Sequence, residues 1–200
     1  MITENSLNIV KKITEKIPSF HHHYHILYDI ANNIKKDTIN YVEIGAYAGA
    51  SAILMLHNKN VKVISIDIGK PIGKQKVLNN INIFFSEERF KYIQGNSQNQ
   101  KTIDELLKIT NEIDILFIDG DHSFEGVIKD FENYSNFVSK NGFIVFDDYR
   151  CPICVQVKPA VDKIVKDLDK NKFEVIGAME NIYGAHPKKN KGNCFIVKKI

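Results

Sequence analysis

Two carboxylate clusters follow strongly apolar runs: Asp119-Gly120-Asp121-His122 comes after ILFI, and Asp147-Asp148 after FIVF. Acids gathered at the mouth of a sheet repel one another and lose hydration unless a cation or hydrogen-bond donors neutralise them. A hard divalent ion is the simplest solution. Oxygen-only ligation with positions left for water and substrate suits Mg²⁺, whereas Zn²⁺ prefers His and Cys. Asp119, Asp147 and Asp148 are therefore the expected ligands. Alone, an Asp-Asp or Asp-Gly pair is a common turn or cap; two such clusters at the ends of apolar runs are a stronger signal.

A second constellation stands earlier, in Glu43-Ile44-Gly45-Ala46-Tyr47-Ala48-Gly49-Ala50-Ser51. Gly45 and Gly49 would let a backbone turn tightly and approach a ligand before a helix begins. Asp67 follows Gly45 by just over twenty residues, the interval at which an acid can accept hydrogen bonds from ribose hydroxyls. The spacing is Glu-x-Gly-x-x-x-Gly rather than the G-x-G-x-x-G of dinucleotide sites, which argues against NAD. A carboxylate at Glu43 suits a cationic ligand end better than a pyrophosphate, and S-adenosylmethionine carries both an ammonium and a sulfonium.

The elements that must position these residues read as an α/β domain. Seven short apolar, β-rich runs occupy residues 40–44, 61–66, 90–94, 113–118, 142–146, 173–176 and 194–198. The middle ones lack polar alternation, as strands covered on both faces should. Segments 50–56, 100–109, 124–138 and 159–168 carry apolar residues three or four apart and predict the covering helices. Ser123 stands at an N-cap position and Asn141-Gly142 at a turn. Upstream, stripes at Leu7, Val10, Ile13 and Ile17 and at Ile26, Leu27, Ile30 and Ile34 predict two helices. At 200 residues this makes one domain, with N-terminal helices over 1–37 and the core over 38–200. The net charge of +3 does not imply nucleic acid, the start lacks a signal peptide, and no apolar run could span a bilayer. With only Cys151, Cys154 and Cys194, reduced thiols and a cytoplasmic location are expected. Whether the chain forms a homo-oligomer is not readable.

YVEIGAYAGASAILML resembles motif I of class I S-adenosylmethionine-dependent methyltransferases, and EIGAYAGAS resembles the corresponding loop of catechol O-methyltransferase-type enzymes. By that likeness Glu43, Gly45, Ala46, Tyr47 and Gly49 would surround the methionine moiety, Ser51 would bind its carboxylate and Asp67 the ribose. Asn96 and Ser97 resemble the adenine-contacting segment, although many relatives carry Asp at the position of Asn96. Asp119 would border the cofactor as well as the metal. IDGDHSFEGVIKDFENYSNFVSKNGFIVFDDY is similar to small metal-dependent methyltransferases related to macrocin O-methyltransferase and cephalosporin hydroxylase. This resemblance implies a Rossmann-like sheet of order 3-2-1-4-5-7-6 with strand 7 antiparallel, Mg²⁺ on the three acids, and His122 as general base. The implied reaction is methyl transfer to a hydroxyl of a small molecule or sugar.

Two rival readings differ in class. One is a hydroxylase-like oxidoreductase on the same scaffold, which methyl transfer from labelled cofactor would separate. The other is a non-catalytic cofactor- or RNA-binding module, marked by salt-dependent RNA affinity and no divalent ion. The cluster His21-His22-His23-Tyr24-His25 is read as a solvated face or acceptor-site lid, and Cys151-Pro152-Ile153-Cys154 as an active-site rim. CFIVKKI is read as an edge strand with lysines facing solvent. Phe84, Phe85 and Tyr149 could cover an acceptor ring, but aromatic residues beside a sheet are usually core. The acceptor pocket is expected from the N-terminal helices, residues 70–89 and residues 151–159.

Overall fold

The structure is a computed structural model, and it describes residues 4–17, 24–178 and 194–200. Seven strands form one sheet: β1 (Ile39–Ile44), β2 (Val61–Asp67), β3 (Phe90–Gln94), β4 (Ile113–Ile118), β5 (Val138–Phe146), β6 (Phe173–Ala178) and β7 (Phe195–Lys199). Their order is β3-β2-β1-β4-β5-β7-β6. Strands β1 to β5 pair in parallel, and β7 runs antiparallel to both β5 and β6. This is the seven-stranded Rossmann-like arrangement that the sequence implied.

The helices are α1 (Glu4–Thr14), α2 (His25–Asn33), α3 (Ala50–Leu56), α4 (Lys74–Asn82), α5 (Gln100–Leu107), α6 (Phe124–Tyr134) and α7 (Val157–Asp167). Side chains alternate across β1 because successive Cβ atoms leave a strand on opposite faces. Tyr41 joins a core with Leu27, Ile53 and Val77, from α2, α3 and α4. Val42 and Ile44 face the second core, with Ile103, Val127 and Val161 from α5, α6 and α7. All six residues of β4 are buried, as a central strand covered on both sides requires; its one charged residue, Asp114, accepts from Lys36 Nζ and Asn40 N.

Several boundaries differ from the sequence expectation. The apolar spacing that suggested a helix to residue 138 ends at Tyr134, and a single 3-10 turn, Ser135–Phe137, leads into a longer β5. Asn141, with φ of 65°, forms a left-handed corner inside that strand, where the pairing to β4 shifts register. Helix α4 was not anticipated: its Val77 and Ile81 are buried and Asn80 Nδ2 donates to Ala48 O at 2.9 Å, so one face of it joins the core, while Lys70 ahead of it lines a cavity. Strand β7 lies between β5 and β6 and is not an edge; Phe195, Ile196 and Val197 are all buried, and β6 takes the edge. His25 is buried in α2 rather than solvated, while His21 to His23 lie outside the described residues. Phe84 and Phe85 pack against His57, and Tyr149 stacks on Phe195, with ring centroids 4.7 Å apart in both the Phe85 and Tyr149 contacts. All three aromatics serve packing.

Candidate active site

A cavity of about 830 Å³ opens beyond the carboxyl ends of β1 to β4. In parallel α/β sheets this end collects the loops that turn into helix N-termini. The loop from β1 to α3 forms one wall. Gly45 has φ of +90°, and a Cβ there would lie 2.0 Å from Asp119 O, so only glycine permits the β1 and β4 loops to meet. Asp67 fastens the same loop: its Oδ2 accepts from Ala46 N at 2.8 Å and Tyr47 N at 3.1 Å, and its Oδ1 accepts from Gly69 N at 2.6 Å. Gly45, Ala46, Tyr47, Ser51 and Asp67 all line the cavity.

Glu43 and Gly49 do not line it. Glu43 is fully buried beneath the loop, and its carboxylate accepts from the hydroxyls of Tyr41 (2.9 Å), Ser51 (2.6 Å) and Ser65 (2.6 Å). Burial raises its pKa to about 7, against the opposing pull of those three donors. Its observed work is to anchor Ser51 and the two strands. At the other wall, Asn96 and Ser97 border the cavity after β3. Asn96 is exposed, whereas buried Ser97 donates to Asp130 Oδ1 at 2.6 Å and its carbonyl accepts from Tyr134 at 2.8 Å. Burial pushes Asp130 up to about 6.

The predicted acids meet at the β4 and β5 ends. One oxygen each from Asp119, Asp147 and Asp148 falls within 4.8 Å of the others, a separation that one ion could bridge. Asp119 and Asp148 border the cavity, while Asp147 lies behind them and meets the Cys194 thiol at 3.7 Å. Asp148 has φ of 55°, a left-handed conformation rare for a non-glycine residue, and strain of this kind concentrates at functional sites. The donor set fits a hard divalent cation: three carboxylates, two of them buried, with solvent access through the cavity.

His122 stands over this cluster. Its Nε2 is 3.4 Å from Asp119 Oδ1 and 3.5 Å from Asp148 Oδ2, and its side chain is 42% exposed. The contact with Asp119 is the main cause of a raised imidazole pKa, partly opposed by burial. Ser123 caps α6 by accepting from Gly126 N at 3.0 Å, which fixes the turn carrying His122. Two neighbours escaped sequence reasoning or were left at the rim. Tyr24, just before α2, donates its hydroxyl to Asp119 Oδ2 at 2.9 Å. No spacing rule relates residues 95 positions apart. Cys154 reaches Asp148 Oδ2 at 3.2 Å, which places the second thiol of C-x-x-C beside the site.

Comparison with known proteins matches this arrangement to a family. Residues 42–149 fit the model of a methyltransferase domain. An uncharacterized protein of Acanthamoeba polyphaga mimivirus is 42% identical over 175 residues, covering 83% of this chain and 79% of the relative. Among solved structures, an rRNA methylase from Streptococcus thermophilus superposes with a TM-score of 0.64 at 15% identity, over 89% of this chain and 96% of the other. The MycE methyltransferase of the mycinamycin biosynthetic pathway, solved with Mg, SAH and mycinamycin VI, superposes with a TM-score of 0.61 at 17% identity. That match covers 96% of this chain and 54% of MycE. The matched residues run from β1 through the second acidic cluster and so take in both halves of the cavity, and the chain belongs to the class I S-adenosylmethionine-dependent methyltransferases.

Proposed function

We propose that this enzyme is an O-methyltransferase acting on a hydroxyl of a small molecule or sugar, assisted by Mg²⁺ or another hard divalent ion. The observation that carries the reading is the convergence of Asp119, Asp147 and Asp148 at the mouth of the cavity that the Gly45 loop also lines. S-adenosylmethionine would occupy the side between the Gly45 loop and Ser97, with Asp67 and Asn96 toward its nucleoside. An ion held by the three acids would lower the pKa of a coordinated hydroxyl.

The chain's own groups supply the remainder. His122 would take the hydroxyl proton at a ring nitrogen, and the carboxylates of Asp119 and Asp148, 3.4 and 3.5 Å from its Nε2, would hold the resulting imidazolium. Tyr24 fixes the Asp119 carboxylate from the opposite side. Alignment of the hydroxyl with the sulfonium methyl is then the protein's main contribution. The solved MycE complex contains Mg alongside SAH, which supports the metal in this reading. A cytoplasmic setting accords with the three free thiols.

The test is transfer of labelled methyl groups from S-adenosylmethionine to a panel of phenols and sugars. Excess chelator should abolish product and Mg²⁺ should restore it. His122→Gln should lower turnover roughly 10²–10⁴-fold with S-adenosylhomocysteine affinity unchanged. Full turnover in chelator, or wild-type turnover by His122→Gln when chemistry is rate-limiting, would contradict these roles.

A further inference from the structure

Beside His122 and Asp148 the structure places one donor that the methyl-transfer reading leaves unused. Cys154 lies between β5 and α7, with its Sγ 3.2 Å from Asp148 Oδ2 and 3.5 Å from His122 Nδ1. The other ring nitrogen, His122 Nε2, lies 3.5 Å from Asp148 Oδ2. One donor atom from each residue falls within 4.8 Å of the others. A tetrahedral zinc ion with Zn–S near 2.3 Å and Zn–N or Zn–O near 2.0 Å has edges of roughly 3.3–3.6 Å between ligand atoms. Each separation is close to those edges, but the sulfur and the carboxylate meet different ring nitrogens, so rotation of the imidazole about its Cβ–Cγ bond is needed to turn one nitrogen toward the ion.

We propose that Cys154, His122 and Asp148 form a site for Zn²⁺ or another thiophilic divalent ion, separate in chemistry from the all-oxygen set and sharing only Asp148 with it. Sulfur and imidazole nitrogen are the donors that such ions prefer, and Mg²⁺ has little affinity for either. Access is open: the His122 side chain is 42% exposed, and Ile153 and Val155, flanking Cys154, are 88% and 64% exposed. Three protein ligands leave a fourth position for water. Without an ion, burial and the Asp148 carboxylate favour the protonated thiol. An incoming cation replaces that proton, which leaves to solvent.

The consequence for catalysis rests on the role proposed for His122, whereas the site itself does not. An ion held on the imidazole occupies a nitrogen that would otherwise receive the hydroxyl proton. Zn²⁺ should therefore inhibit where Mg²⁺ activates.

The experiment uses the reduced, metal-free full chain in excess Mg²⁺, titrated with Co²⁺ in absorbance and with Zn²⁺ in calorimetry. Wild type should bind one Co²⁺ with a thiolate-to-cobalt charge-transfer band, which reports sulfur ligation whatever histidines elsewhere bind. Cys154→Ser should lose that band and bind Zn²⁺ at least tenfold more weakly, with its Mg²⁺ affinity and thermal midpoint unchanged. Cys151→Ser should retain the band. On the wild-type chain, Zn²⁺ should also slow alkylation of Cys154 by iodoacetamide, read by mass spectrometry. Absence of the band, its persistence in Cys154→Ser, or unslowed alkylation of Cys154 would overturn the proposal. None of these readouts requires the methyl acceptor, so failure of the O-methylation reading would be seen separately.

Discussion

At the scale of single residues, the cavity depends on groups whose positions allow little substitution. Gly45 is the clearest, because an added Cβ would run into the Asp119 carbonyl at 2.0 Å and φ is +90°. Gly45→Ala should destabilise the fold by about 1–3 kcal/mol and weaken S-adenosylhomocysteine more than tenfold, measured by denaturation and calorimetry. Wild-type affinity in that variant would show that the loop does not shape the cofactor site. Residue types identified the acids because carboxylates at strand ends are conspicuous in a sequence. They could not show what each carboxylate touches: Glu43 was expected to face a cationic ligand, yet its oxygens are engaged by three hydroxyls beneath the loop. The signal available was Tyr41, two residues earlier on the same strand face.

At the scale of elements, strands were legible and some helices were not. Runs rich in β-branched and other apolar residues marked β1, β2 and β4, while α4 (Lys74–Asn82) escaped because KQKVLNNIN offers few apolar residues and only Val77, Asn80 and Ile81 are buried. The extent of β5 was obscured by Asn141-Gly142, which looks like a turn between elements and is a corner within the strand. Helix α6 links the two halves of the site. Its N-terminus follows His122, and its Asp130 and Tyr134 hold Ser97 on the opposite wall of the cavity. Tyr134→Phe removes one of those bonds with little change of shape and should weaken S-adenosylhomocysteine roughly three- to tenfold. Divalent-ion affinity should stay constant; equal losses in both would instead indicate general loosening of the helix.

At the scale of the whole molecule, the sheet buries one carboxylate that stays near neutrality in its titration. Glu43 has its folded pKa raised to about 7 from an ordinary 4.5, so between those values the native state binds more protons than the unfolded chain. Its contribution to stability is therefore greatest at low pH and falls as pH rises toward 7. Asp130, raised to about 6, acts in the same direction. Thermal midpoints measured from pH 5 to 7.5 should show this decline, and Glu43→Gln should flatten it; an unchanged slope would mean that Glu43 is ionised throughout.

The proposed function has cofactor and ion share one cavity through Asp119, which borders both the Gly45 loop and the acidic cluster. Mn²⁺ is paramagnetic and takes oxygen ligands as Mg²⁺ does. Nuclear relaxation of S-adenosylhomocysteine bound to the protein, measured with and without Mn²⁺, reads their proximity directly. One bound Mn²⁺ should enhance relaxation most for the protons beside the sulfur, and Asp148→Asn should abolish the enhancement while the cofactor product still binds. Bound S-adenosylhomocysteine whose relaxation is unaffected by Mn²⁺ would contradict a metal-assisted transfer in this cavity.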